Sequence, residues 1–139
     1  KDDKTMNKYL KDIGNELAYM PYAPRVFISA LTGQRIPRML ELIRTVNENH
    51  ALRISTGVLN EVLIEATAMQ QPPADKGRQL RLYYMTQVSV KPPTFVIFVN
   101  ERELFHFSYR RYIENQLREA FGFVGTPIHF IVREKGDKD

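Results

Sequence analysis

Three residues with a recognisable chemical pattern, Ser29, Ala30 and Leu31, stand where a short apolar stretch gives way to a turn. The stretch Val26–Ile28 contains β-branched residues, and Gly33 leads from the turn into a segment with helical spacing. A buried parallel strand in an α/β sheet is followed by a loop in this way, and ligands bind at the carboxyl ends of such strands. The pattern therefore predicts a ligand loop at residues 29–31.

Ser29-Ala30-Leu31 at this position resembles the fifth guanine-nucleotide motif of small GTPases. The resemblance implies main-chain N–H donors to the guanine carbonyl from Ser29 and Ala30, with Leu31 packed beside the base. The phosphate-binding motif G-x-x-x-x-G-K-[ST], the magnesium-binding D-x-x-G and the base-specificity motif N-K-x-D are all absent from the 139 residues. We therefore expect this chain alone neither to bind GTP tightly nor to hydrolyse it.

The remaining polar residues do not form a catalytic set. His50, His106 and His129 have neither metal-ligand spacing nor a paired carboxylate, so they are interpreted as ordinary surface or half-buried residues. The segment from Gly122 to Gly125 has the G-x-x-G spelling of the backbone clamp in RNA-binding KH domains. Because a strand follows it and its middle residues are apolar, a helix cap and a turn are favoured over a clamp.

Composition narrows the class of protein. The chain is 43% hydrophobic and carries a net charge of +4, a mildly basic balance that permits contact with nucleic acid without demonstrating it. The sequence contains no cysteine, which excludes disulfides and thiolate metal sites and fits a cytosolic protein. The longest apolar run is about half of the ~20 residues that span a membrane.

The first 50 residues predict a helix, a strand, a loop and a second helix. Met6–Leu17 has the apolar spacing of one helix face, and Pro37 suits the first turn of the next helix. Leu40 and Ile43 belong to the predicted buried stripe of that second helix. One strand cannot form a sheet, so residues 1–50 are expected to need strands that this chain does not contain.

Residues 51–139 predict the order helix, strand, strand, helix, strand. The predicted class is an α+β fold with helices on one face of a three-stranded sheet. Alternation places Leu80, Leu82 and Tyr84 inward, and residues 74–78 are predicted as a polar loop. Helical spacing places Tyr109 and Tyr112 inward as well, which favours core packing of these tyrosines over base stacking.

Several motifs in this second part carry a family resemblance. They are Gln71-Pro72-Pro73, Leu82-Tyr83-Tyr84-Met85-Thr86-Gln87, Pro92-Pro93-Thr94-Phe95, Ser108-Tyr109-Arg110-Arg111-Tyr112 and Gly125-Thr126-Pro127-Ile128. Together with Val26–Gly33 they resemble the C-terminal part of the Der (EngA) family, the bacterial tandem GTPases that assist assembly of the large ribosomal subunit. The resemblance implies that residues 1–50 end a P-loop GTPase domain, just after its N-K-x-D motif, and that residues 51–139 form a KH-like domain.

The resemblance also implies a function for the protein. It implies a cytoplasmic GTPase that binds GTP or GDP with magnesium in its full-length form. Its implied partners are the large ribosomal subunit or its precursor, rRNA and its own GTPase domains, with no DNA and no membrane. The alternative is that the KH-like domain is mainly an intramolecular interaction module with little RNA binding of its own.

Basic side chains are the candidates for ribosome contact. The expected set is Arg78, Arg81, Arg110, Arg111, Arg118 and Lys135. Arg110, Arg111 and Arg118 are placed on the outer face of the last helix, where phosphates could reach them. Glu114 and Glu119 interleave with them, so an ordinary solvated surface remains the competing interpretation for each residue.

Overall fold

A computed structural model describes residues 3–137. It contains the helices α1 (Asp3–Glu16), α2 (Ile36–His50), α3 (Thr56–Met69) and α4 (Phe107–Phe121), and a short 3-10 turn at Arg102–Leu104. Its strands are β1 (Ala74–Asp75), β2 (Arg78–Gln79), β3 (Leu82–Ser89), β4 (Thr94–Val99) and β5 (His129–Glu134). The order α3, β3, β4, α4, β5 confirms the predicted α+β arrangement.

The three long strands form one sheet with β4 in the centre. β3 pairs with β4 antiparallel, and β5 pairs with β4 parallel after the crossover through α4. Phe95, Ile97 and Val99 alternate along β4 and are fully buried against the helices. The helices supply residues at intervals of four or three, which places one apolar stripe of each helix on the sheet. The buried residues of the two stripes are Leu59, Leu63 and Ala66 of α3 and Tyr109, Ile113 and Leu117 of α4.

A bulge at Tyr83 reverses the predicted faces of β3. Leu82 pairs with Val99 and Tyr84 pairs with the adjacent Phe98, so Tyr83 is an extra residue in the ladder. An extra residue turns the following side chains to the opposite face. Met85 is therefore fully buried and Tyr84 is 41% exposed, so the prediction that Tyr84 points into the core is wrong.

Residues 74–79 form a small hairpin rather than the predicted polar loop. Ala74 pairs with Gln79 and Asp75 with Arg78, around a two-residue turn of Lys76 and Gly77. Both turn residues have positive φ, 50° and 79°, the combination that two-residue hairpin turns require. All four strand residues are exposed, so this hairpin adds little to the core.

The N-terminal part contains the two predicted helices but not the predicted strand. Residues 23–29 are irregular, because the described chain offers no neighbouring strand with which Val26–Ile28 could pair. α2 begins as expected, with Pro37 in its first turn. Its predicted buried stripe is wrong in this structure, since Leu40 and Ile43 are each 58% exposed where no sheet covers them.

The turn after α4 joins this N-terminal part to the sheet domain. The Gly125 N–H donates to the Tyr22 carbonyl at 3.0 Å, and the Asn49 side-chain amide donates to the Val124 carbonyl at 3.0 Å. Gly125 has a φ of 83°, and a Cβ built there would overlap Val46 of α2. The two glycines of the G-x-x-G spelling thus serve as a helix end, with Gly122 at a φ of 94°, and as a close-packed turn.

Candidate functional site

The loop at residues 29–33 is closed by its own hydrogen bonds. The Gly33 N–H donates to the Ser29 carbonyl at 2.8 Å, and the Ser29 hydroxyl accepts from the Thr32 N–H at 3.2 Å. The Ser29 N–H donates to the Gln34 carbonyl at 3.1 Å, so this amide is already engaged. These three hydrogen bonds all join residues 29–34, so none of them involves the sheet domain.

Ala30 and Leu31 present the free donors of the loop. Neither main-chain N–H has a hydrogen-bond partner among residues 3–137, and the Leu31 side chain is 96% exposed. Main-chain N–H groups without a partner in exposed residues can bind a carbonyl or another acceptor. In this structure the unpartnered N–H groups are those of Ala30 and Leu31, whereas the Ser29 N–H is engaged, and the guanine contact itself stays a prediction.

The six predicted basic contacts fall into two groups. Arg81 precedes β3 and Lys135 follows β5 at the end of the sheet where β4 finishes, and Arg78 forms an ion pair with Glu101 at the same end. The other three residues belong to α4. Arg110 donates to the Phe130 carbonyl at 2.7 Å, five residues before Lys135, a separation of roughly 16 Å along a strand. The two groups do not make one continuous basic patch.

Arg118 lies inside the junction and not on the outer face of α4. Its side chain is 18% exposed, donates to the Phe123 carbonyl at 2.9 Å and lies 5.1 Å from the centre of the Tyr22 ring. Burial lowers the pKa of Arg118, while the Glu114 carboxylate at 3.8 Å and Tyr22 act in the opposite direction. The predicted outer-face position of Arg118 is therefore wrong, and its contacts are those of a structural residue.

A cleft of about 380 Å³ lies between α4 and the segment that follows α1. The aromatic residues Tyr19 and Phe107 border it and are 72% and 76% exposed. Arg110 and Arg111 of α4 line the same cleft, so an exposed cationic group lies beside exposed aromatic rings. Sequence reasoning missed this site because its two walls lie some 90 positions apart in the chain. Phe107 is the one residue of the cleft that the sequence could have indicated. It is aromatic but does not belong to the series of core positions that begins at Tyr109, so an exposed ring could have been expected.

The sheet face opposite the helices is a second exposed surface. Tyr84 and Phe98 are neighbours across the strands, with ring centres 5.7 Å apart. Val88 on β3 is 49% exposed and Ile131 on β5 is 42% exposed, on the two outer strands of the sheet. This face is apolar enough to dock a protein surface.

The buried tyrosines of α4 are structural, as helical spacing predicts. The Tyr109 hydroxyl donates to the Gln70 carbonyl at 2.9 Å, and the Tyr112 hydroxyl donates to the Ala66 carbonyl at 2.7 Å. Both bonds tie α4 to the end of α3: the Gln70 carbonyl follows the last helical residue, and the Ala66 carbonyl accepts from the Gln70 N–H as well as from Tyr112. Burial, with a smaller contribution from Tyr112, raises the pKa of Tyr109 to about 12.

The residues that the structure describes were compared with the requirements of a metal site and of a membrane-spanning helix. Among residues 3–137 no three His, Asp or Glu side chains come together as a metal site. Within the same range no helix combines the length and the apolar character that crossing a bilayer demands.

A three-stranded sheet with two helices on one face, in the order found here, defines the class as a KH-like α+β domain. Comparison with known families gives the same class: the model described as "KH-domain-like of EngA bacterial GTPase enzymes, C-terminal" matches residues 53–133. The chain belongs to this family.

Curated relatives extend the similarity over the whole chain. The sequence is 60% identical to GTPase Der of Lachnoclostridium phytofermentans and 58% identical to GTPase Der of Alkaliphilus metalliredigens, over all 139 residues in both cases. It is 60% identical over 135 residues to GTPase Der of Acetivibrio thermocellus. The chain spans about a third of the length of these relatives, 31–32% in each case, and it corresponds to their C-terminal portion.

Proposed function

We propose that this chain is the C-terminal part of a GTP-binding protein of large-subunit ribosome assembly, with residues 1–50 ending a GTPase domain and residues 51–139 forming the KH-like domain. The observation that carries the proposal is the pair of free main-chain donors at Ala30 and Leu31, in a self-closed loop of a chain whose relatives are GTPases. In the full-length protein this loop would meet the guanine base. GTP or GDP with magnesium would be held by the phosphate-binding motifs that this chain lacks.

The proposed partners are large-subunit rRNA and the protein's own GTPase domains, in the cytoplasm. Arg111 supports the rRNA contact, because it is exposed and forms no hydrogen bond or ion pair within the described residues. Phosphate neutralisation by such groups supplies most of the affinity of non-specific RNA binding. Arg118 does not support it, since its guanidinium is already committed to the junction.

Co-sedimentation with the large-subunit precursor tests this proposal. The full-length protein is loaded with a non-hydrolysable GTP analogue, and the variants Arg111→Glu and Arg81→Glu are compared with Arg53→Glu, an exposed arginine outside both basic groups. We expect weaker binding for the first two variants and unchanged binding for the third. Equal binding by all three would remove both basic groups from the proposal.

The exposed sheet face favours a second function, docking of the KH-like domain on a GTPase domain of the same protein. Val88 and Ile131 supply apolar area that the described residues leave uncovered. We expect Val88→Glu to weaken association with the separately produced GTPase portion while RNA binding by the chain stays unchanged. Isothermal titration calorimetry measures the association with the GTPase portion. RNA binding at several salt concentrations measures the contact with phosphates. A steep salt dependence supports phosphate contact.

A further inference from the structure

The cleft between α4 and the turn after α1 has the size and lining of a ligand site. Its volume of about 380 Å³ lies within the range of roughly 300–1,000 Å³ that small-molecule pockets occupy. Tyr19 contributes one aromatic ring from the N-terminal part, and Phe107 contributes another from the first turn of α4. Neither ring contacts another aromatic ring within residues 3–137, so both have faces available for stacking.

The charges around the cleft favour an anion. Arg111 is exposed and forms no ion pair or hydrogen bond in the described chain. Arg110 donates one of its five N–H groups to the Phe130 carbonyl. Glu114 also lines the cleft, but its nearest cationic partner is Arg118, at 3.8 Å. Neither Arg110 nor Arg111 forms an ion pair within the described residues, and together they outnumber the one carboxylate that lines the cleft.

An aromatic ring beside an uncompensated guanidinium matches one ligand chemistry, a flat base joined to a phosphate. Stacking on aromatic rings and phosphate contact with basic groups are the two interactions by which proteins bind single-stranded nucleic acid. The opposite sheet face is less suited to stacking, because its Tyr84 and Phe98 rings already pack on each other. An apolar protein surface fits that face better than it fits the charged cleft.

We propose that this cleft binds an unpaired nucleotide of single-stranded RNA, with the base against Tyr19 or Phe107 and the phosphate on Arg110 and Arg111. The inference rests on the proposed rRNA contact and deepens it by naming a site. The site needs both parts of the chain, because Tyr19 comes from the N-terminal part and the other three residues come from the KH-like domain. Arg118 of α4 contacts the ring of Tyr22, which also lines the cleft, and so connects its two walls.

Fluorescence anisotropy with a short labelled single-stranded RNA of mixed sequence tests the site in the complete chain. We expect at least one of Tyr19→Ala and Phe107→Ala to raise the Kd roughly tenfold, the scale of one lost stacking contact. Arg111→Ala is expected to lower the slope of log K against log salt by about 0.7, the value of one phosphate on a single strand. Tyr83→Ala and Arg53→Ala are the matched exposed controls, and both should bind as the parent chain does.

Photo-cross-linking supplies a readout that a structural role would not change. RNA containing 5-iodouridine should cross-link to Tyr19, Tyr22 or Phe107, as mapped by mass spectrometry. Cross-links to Tyr84 or Phe98 instead would overturn the site, and so would an absence of RNA binding by the parent chain. Displacement of the RNA by free adenosine or guanosine monophosphate at equal affinity would assign the cleft to a free nucleotide.

The two proposals fail in different ways. If Tyr19→Ala and Phe107→Ala bind RNA as the parent chain does, the cleft is wrong and the proposed rRNA contact stands. If the full-length protein does not sediment with the large-subunit precursor, the proposed function is wrong, whatever the cleft binds.

Discussion

At the scale of single residues, the junction depends on one backbone position. Gly125 combines a φ of 83° with a position where a Cβ would overlap Val46, and its N–H donates to the Tyr22 carbonyl. Gly122 has a similar φ of 94° but open space around its α-carbon. The two glycines therefore separate the cost of an unfavourable backbone angle from the cost of a steric overlap.

We expect Gly125→Ala to destabilise the chain more than Gly122→Ala does. Gly122→Ala should cost about 1–3 kcal/mol, because its φ of 94° and ψ of −59° lie in a region that residues with a Cβ rarely adopt. Gly125→Ala should add about 1–3 kcal/mol, because Val46 must move to relieve the overlap. Urea denaturation measures both free energies of unfolding, and Val46→Ala in the Gly125→Ala background should recover part of the loss. Equal losses for the two alanine variants would show that the overlap is unimportant.

Tyr109 gives a pH-dependent prediction at the same scale. Its pKa is raised to about 12 in the folded chain, above the ordinary tyrosine pKa of 10.0, because burial penalises the phenolate. The folded state then holds its proton more tightly than the unfolded state, so this contribution to stability is complete below pH 10 and declines as pH rises towards 12. Tyr109→Phe should flatten the decline of unfolding free energy between these pH values. It should also cost about 1 kcal/mol at neutral pH, since the hydrogen bond to Gln70 is lost.

At the scale of secondary-structure elements, the bulge in β3 decides which side chains enter the core. Simple alternation from Leu82 would bury Tyr84 and expose Met85, whereas the observed register does the opposite. The same inversion places Gln87 inside, where its side chain accepts from the Ile54 N–H at 2.7 Å and donates to the Leu52 carbonyl at 2.9 Å. These bonds connect the segment before α3 to the sheet.

Alanine substitution on either side of β3 tests the inversion. Met85→Ala should cost about 2–5 kcal/mol, because it removes a fully buried side chain. Tyr84→Ala should cost about 1 kcal/mol, the value of an exposed aromatic pair with Phe98. Thermal and urea unfolding of the two variants measure the difference. The reverse order of stability would contradict the bulge.

The sequence predicts features that depend on contacts within one element better than features that depend on contacts between distant elements. The periodicity of α3, α4 and β4 is local, so the existence and order of these elements could be predicted. The face of β3 could not, because a bulge depends on pairing with β4. The hydrogen bond from the Ser29 N–H to the Gln34 carbonyl could not be predicted either, since it forms only in the folded turn. The cleft forms where two segments distant in the sequence meet, and the spacing of apolar residues within one segment gives no information about such a contact.

At the scale of the whole molecule, Arg118 connects the two parts of the chain. It reaches the Phe123 carbonyl and the Tyr22 ring, and one of its nitrogens has no hydrogen-bond partner within the described residues. Desolvating a charged group costs free energy unless it is paired, and the Glu114 carboxylate at 3.8 Å offsets part of that cost. The position of Arg118 keeps Tyr22 over α4.

We expect Arg118→Ala to loosen this junction more than the neighbouring Arg111→Ala does. The loss of a charged hydrogen bond and a partly desolvated cation–π contact should cost about 1–3 kcal/mol. Arg111→Ala should stay within about 0.5 kcal/mol, as surface substitutions usually do. Hydrogen exchange at the Gly125 N–H, which depends on the Tyr22 carbonyl, measures the effect locally. Unchanged exchange in Arg118→Ala would mean that other contacts hold the junction.

The parallel pairing of β5 with β4 has a consequence for the order in which the chain folds. A hairpin such as β3–β4 can close as soon as its strands exist, but a parallel partner must wait for the intervening helix. Until β5 arrives, one edge of β4 has no partner, and its sequence Phe95–Val99 is the kind of apolar, uncharged segment that pairs with other chains. During synthesis, therefore, the central strand is exposed to aggregation until residues 129–134 have been made, and prompt docking of α4 protects the nascent chain.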